Sequence, residues 1–401
     1  MPDRSQALPR RTTALRKLVR LAFAVLLVLF TLFAFVVVQH VRRRYIGVWL
    51  PAYLRWEFGA RPTVKPTDIM FLVGDHFEPG RHDEIVREWV ERYPQLFDSI
   101  RDSDNRPPQH SFFYPAEQYQ PAQLVAISQL VVRGYGEIEL HLHHANDTPA
   151  SLIKQLDLAK QRFAEIGAMR STPGGPLRFG FIHGNWSLDN AEILAGKNWC
   201  GVNNELDILR NEGAYADFTF PAFGSVAQPR TLQQIYYAHD DPAQPKSYDT
   251  GVPVAVGEHP DSRAFMIFEG PLVVNWKDWR RGLWPFVDYG QLEGDSPADM
   301  SRFHSWLKAD VHVEGRPEWV FIKLHTHGAS DFDRRVVLSE QMAQFYRQMV
   351  AYCADNGIRL HFVTAREAYN IVKAAEAGYT GNADHYRDFE IKPYLIAHTG
   401  P

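Results

Sequence analysis

Short apolar runs alternate with amphipathic stretches along most of the chain, and this alternation restricts the fold more than any other feature. Residues 68–74, 111–114, 137–143, 178–183, 215–220, 319–325 and 359–363 read as strands, with further strand-like pieces at 266–270 and 272–275. Residues 83–100, 121–132, 150–166, 204–211, 339–356 and 365–377 read as helices. Pro121 opens one helix and Gly134 follows its end, the usual asymmetry of helix termini. Strands that alternate with helices predict an α/β fold with a parallel sheet, open or closed into a barrel.

Histidines gather where the strands end. The stretch Glu137-Ile138-Glu139-Leu140-His141-Leu142-His143-His144 has the two-residue period of a strand. That period places His141 and His143 on one face, with His144 opening the next loop. Two neutral imidazoles so placed can grip one divalent ion. Other strand ends carry Asp75-His76, His183 and His325-Thr326-His327. In βα barrels the reacting groups sit on the rim formed by the carboxyl ends of the strands. One shared metal site is therefore expected, with His76, His141 and His143 as ligand candidates. Asp75 is the candidate base, and His325 or His327 the acid. His144, His183, Asn185 and Trp186 are expected around it as substrate-binding groups.

The N-terminus imposes a second constraint. Residues 1–20 form a basic tail, and residues 21–38 are apolar throughout apart from Thr31. A run of about 18–20 such residues is what a helix needs to cross a hydrocarbon core. A cleaved signal peptide is the competing reading, but its apolar region is shorter and ends in small residues. Here the run continues into Gln39-His40-Val41 and Arg42-Arg43-Arg44, so a retained single-pass anchor over residues 21–41 is expected. Basic residues flank both ends, which leaves the orientation open. Residues 42–66 read as a juxtamembrane linker, 67–378 as the barrel domain and 379–401 as a C-terminal tail. The net charge of −4 gives no bulk electrostatic case for nucleic acid. Cys200 and Cys353 stand far apart and in no metal-like spacing. Residues 251–317 look long and irregular, with Trp276, Trp279, Trp284 and Trp306 as either packing or a wall for sugar stacking.

Several motifs resemble the polysaccharide deacetylases, carbohydrate esterase family four and its relatives, over about residues 68–375. Val73-Gly74-Asp75-His76 stands where that family ends its first strand in an aspartate pair. Gly134-Tyr135-Gly136-Glu137-Ile138-Glu139-Leu140-His141 matches its Gly-x-Glu-Ile-x-x-His segment, and His141-Leu142-His143 fits the His-x-His branch. Residues 179–186, the 209–217 run with Pro221, Ile322-Lys323-Leu324-His325 and Phe362-Val363-Thr364-Ala365-Arg366-Glu367 correspond to later motifs. The resemblance implies an irregular (β/α) barrel of about seven strands, which would follow the single N-terminal transmembrane helix read from residues 21–41. It also implies metal-dependent removal of acetyl groups from a polysaccharide or other glycan, usually with zinc. That substrate places the domain on the extracytoplasmic side. Asp75-His76 departs from the aspartate pair, so Asp75 is either base or ligand. Two alternatives remain: a metal hydrolase of another amide, ester or glycosidic bond, and a non-catalytic membrane-tethered glycan-binding or assembly protein.

Overall fold

The computed structural model describes residues 10–60, 64–276, 278–279 and 284–396. Helix α1 (Arg10–Arg43) contains a stretch, Leu15–Arg43, that is long and apolar enough to cross a membrane. At about 1.5 Å per residue its 29 residues reach beyond the ~30 Å of a hydrocarbon core. Phe30 is 68 % and Leu26 64 % exposed, surface that water does not stabilise. The helix fits a single span or a signal sequence. Helix α2 (Ile46–Phe58) belongs to the domain rather than to a linker. Its Trp49 and Tyr53 are buried with Leu232, Leu272 and Val274. The Tyr53 hydroxyl accepts the Val274 N–H at 3.2 Å, and Lys308 pairs with Glu57. Aromatics spaced four apart give α2 an apolar stripe, which the domain covers.

The remaining elements follow in order: β1 (Asp68–His76), α3 (Asp83–Phe97), β2 (His110–Pro115), α4 (Pro121–Val132), β3 (Gly136–Leu142), α5 (Pro149–Ala164), β4 (Phe179–His183), α6 (Glu205–Asn211), β5 (Ala214–Asp217), β6 (Ile235–Ala238), β7 (Val252–Pro253), β8 (Phe265–Phe268), β9 (Val273–Asn275), β10 (Phe286–Asp288), α7 (Met300–Ala309), β11 (Trp319–Thr326), α8 (Asp331–Val337), α9 (Glu340–Asp355), β12 (Arg359–Phe362) and α10 (Ala365–Glu376). A ten-stranded sheet has the order β11-β1-β2-β3-β4-β5-β8-β6-β7, with β12 also on β1. All its pairings are parallel except those of β6 with β7 and β8. The fold is thus mixed α/β around a parallel sheet, as the alternation predicts. The strand count exceeds the seven expected, because β6 and β7 are too short to show a period. The 251–317 stretch likewise holds β7 to β10 and α7.

Strand parity sorts the core into two layers. Phe71 and Val73 of β1, Leu140 and Leu142 of β3, and Ile322 and Leu324 of β11 share one cluster with Trp89 of α3, Leu124 of α4 and Phe345 of α9. Met70, Leu72, Phe113, Phe218, Phe268 and Phe321 fill the other. The sheet curls around this second cluster, so that Phe268 of β8 and Phe321 of β11 meet edge to face at 5.7 Å. No ladder joins the end strands among the described residues. Burying each such aromatic stabilises by roughly 1.5–3 kcal/mol. Residues 379–396 are packed rather than a free tail. Arg387 is 2 % exposed and bonds Asp102, Asp104 and Glu367, while the Tyr394 hydroxyl donates to Glu139. The ion pairs satisfy charges that would be costly to bury alone.

Candidate metal centre

The parallel register brings the carboxyl ends of β11, β1, β2, β3 and β4 side by side. Asp75 lies opposite Thr326, Pro115 opposite His141, and Leu142 opposite His183. At this rim, donor atoms of His76, Glu78 and His141 converge within 4.8 Å of one another. His76 and His141 are buried, whereas the Glu78 side chain is 27 % exposed. Beside Glu78 opens a cleft of about 560 Å³, lined also by His82, Ile85, Ala329 and Arg334. His141 Nδ1–H donates to the Ile182 carbonyl at 2.9 Å, so its Nε2 keeps a lone pair. That Nε2 stands 3.1 Å from Glu78 Oε1. Two acceptors face each other there, and a proton or a cation must lie between them. Two histidines and a carboxylate with a side open to water form a three-ligand set of the kind zinc enzymes use. The residues fit a divalent ion.

Glu78 is the member of this set that the sequence reading leaves out. It lies two residues beyond His76, and parity would place the two on one face if the strand ran on. His143 stands beside the set, its ring centroid 4.5 Å from that of His141. Its Nδ1 bonds Glu117 at 2.8 Å and its Nε2 lies 3.7 Å from Glu78 Oε1. Gly184 makes room for this ring, since a Cβ there would fall 2.3 Å from His143 Cδ2. The His327 ring lies 4.7 Å from that of His76, and its side chain is 37 % exposed. His325 is buried deeper, 5.4 Å from the Tyr289 ring.

Asp75 differs most from its expected role. Next to His76 on a strand, it points the opposite way, toward the helical layer that holds Val73. His110 Nε2–H donates to its Oδ2 at 2.7 Å and the Gly328 N–H to its Oδ1 at 2.7 Å. Both oxygens are engaged, and Asp75 is not among the converging donors. A Cβ at residue 328 would meet Asp75 Oδ2 at 2.2 Å, so glycine permits this contact. His110 begins β2 with no sequence signal to mark it as a partner of Asp75.

Electrostatics separates the rim histidines. Burial, with His327 and His141 nearby, holds His76 well below its usual pKa. Burial and Lys323 do the same to His325. Desolvation lowers His327 as well, against the pull of Glu78 and Asp75. For His143, desolvation is outweighed by the Glu117 bond and the Glu78 charge, which raise it. Burial would lift the Glu78 carboxyl, but the surrounding His141, His143 and His327 hold it below the usual range.

The residues expected to touch substrate divide. Asn185 is exposed and Trp186 half-buried. His144 and His183 have side chains with 0 % exposure and turn to each other, ring centroids 4.5 Å apart. Cys200 and Glu205 complete this buried group, although Cys200 has no metal-like spacing in the sequence. Of the four tryptophans, Trp306 is core at 1 % exposure and Trp284 stacks on His40 of α1 at 4.2 Å. Trp276 and Trp279 are about half exposed, at 52 % and 51 %.

No protein-family model matches the sequence, and no curated protein matches it. Among solved structures, the chain is similar to a 4-alpha-glucanotransferase from Thermococcus litoralis, at 10 % identity and a TM-score of 0.39. The alignment covers 74 % of this chain and 39 % of that one, so the chain spans well under half of that protein's length.

Proposed function

We propose that the chain is a membrane-anchored, metal-dependent hydrolase that removes acetyl groups from an envelope or exported polysaccharide, with zinc as its metal. The observation that carries this reading is the convergence of His76, Glu78 and His141 at a rim left open on the Glu78 side. A bound ion would polarise the acetyl carbonyl and lower the pKa of a water. His327, lowered and partly exposed, accepts the proton of the attacking water. His143, raised and backed by Glu117, delivers a proton to the leaving sugar nitrogen or oxygen. Water oxygen bonds to the carbonyl carbon, the bond to the sugar breaks, and acetate departs. Asp75 then acts as a positioning residue: it fixes the Gly328 backbone directly after His327. The apolar Leu15–Arg43 helix supports tethering near a surface polysaccharide.

The test is acetate release from a panel of acetylated glycans by the full-length protein in detergent, with and without added zinc. Zinc-dependent release that His141→Ala abolishes is the expected result. Absence of release across the panel, together with unchanged metal content in His141→Ala, would overturn the reading.

A further inference from the structure

The buried group behind the rim carries a site of its own. Donor atoms of His144, His183, Cys200 and Glu205 lie within 4.8 Å of one another, and all four residues are buried. We propose that these residues form a second, closed metal site for a zinc-class ion, with a structural role. The spacings suit it. His144 Nε2 is 3.0 Å and His183 Nε2 3.6 Å from Glu205 Oε1, and Cys200 Sγ is 3.4 Å from Glu205 Oε2. A tetrahedral ion with bonds of about 2.0–2.3 Å holds its ligands roughly 3.3–3.8 Å apart.

The protonation pattern suits it too. His183 Nδ1–H donates to the Gly184 carbonyl at 2.5 Å, so Nε2 carries the lone pair. That Nε2 is fully buried, points at the group and finds no hydrogen-bond partner among the described residues. A buried orphan acceptor is costly and calls for an occupant. His144 Nδ1 lies 3.0 Å from Asp147 Oδ2, off the line of a hydrogen bond. A carboxylate behind the far nitrogen is the arrangement that orients metal-binding histidines. Glu205 is itself held, since its Oε2 accepts the Asp189 N–H at 2.6 Å. Four protein ligands leave no place for substrate, which marks a structural rather than a catalytic site.

The surrounding backbone gives the ion something to hold. Asn185, Trp186, Asp189 and Asn190 all adopt left-handed conformations, with φ between 48° and 57°. Gly201, at φ 99°, sits where a Cβ would fall 2.6 Å from the Asp147 backbone. The site would tie the loops after β3 and β4 to the start of α6 and keep this strained segment in place.

Cobalt decides the matter in the full-length protein. Thiolate bound to Co²⁺ absorbs in the near ultraviolet, and the rim set of His76, Glu78 and His141 contains no sulfur. The other cysteine, Cys353, is buried in α9. The metal-stripped wild type reloaded with Co²⁺ should show this absorption, His141→Ala should keep it, and Cys200→Ser should lose it along with one equivalent of metal. Should Cys200→Ser fail to fold, X-ray absorption at the zinc edge of the wild type still decides, with a sulfur shell at about 2.3 Å that averages roughly half a sulfur per zinc when both sites are filled. A wild type without the thiolate band, or with only nitrogen and oxygen around its zinc, would overturn the proposal. The thiolate signal without acetate release, in a protein whose metal content His141→Ala leaves unchanged, would uphold this site and sink the hydrolase reading instead.

Discussion

His141 and His144 lie three residues apart at the end of one strand, yet they serve two clusters of opposite character. His141 joins His76 and Glu78 at a rim that opens to water through Glu78. His144 joins His183, Cys200 and Glu205 in a group with no exposed member. Histidine and glutamate supply most donors in both. Accessibility thus separates the two more than residue type does, since one set meets water through Glu78 and the other is sealed.

Substitutions can break this contrast. The largest effect is expected for His141→Ala: acetate release should fall more than about 100-fold, beyond what loss of an outer ligand partner costs. The melting temperature should fall too, because the His141 side chain is fully buried and its bond to the Ile182 carbonyl is lost. His327→Ala should lower kcat by roughly 10²–10⁴-fold with the metal retained, as for a lost base. A matching loss of metal would make His327 a ligand instead. Cys200→Ala should spare more of the acetate release while costing about 4 kcal/mol in denaturant unfolding, a size reserved for lost metals and core defects. An equal loss of acetate release in the two variants would remove the distinction between the clusters. Asp75→Asn sharpens the roles within the rim. It should cost about 1.5–3 kcal/mol, typical of a hydrogen bond to a charged group, and leave metal content unchanged.

The smallest expected effect is on pH dependence at the closed cluster. Burial would lower His144, but Glu205 and Asp147 outweigh it and raise its pKa. In metal-stripped protein the protonated His144 thus stabilises the fold at acid pH, and this contribution fades as pH rises through the raised value. A bound ion must displace that proton. The melting-temperature gap between loaded and stripped protein should therefore narrow as pH falls from about 8 to about 6. A gap that widens on acidification would contradict the assignment.

Much of the fold is legible in the sequence. Pro121–Val132 forms the helix that Pro121 and Gly134 bracket, and the Glu137–Leu142 alternation forms β3. Short strands such as β6 and β7 carry too few residues for a period to show. Aromatic α2 and the 379–396 segment reveal their packing only through the surfaces that cover them. At the site, the strand period itself contains the correction to Asp75, since neighbours on a strand face opposite ways. Parity alone separates Asp75 from His76, whereas their adjacency in a motif suggests a shared role.

The sequence by itself determined local matters. It set the longer strands, that histidines end several of them, and that one apolar helix is long enough for a membrane. These depend on periods and lengths within a few residues. Tertiary structure alone decided the partners. His110 reaches Asp75 from 35 residues away, Glu205 reaches His144 from 61, and Gly328 reaches Asp75 from 253. Such contacts arise from parallel register and the curl of the sheet. The same geometry decides which histidines meet water and which are sealed beneath it.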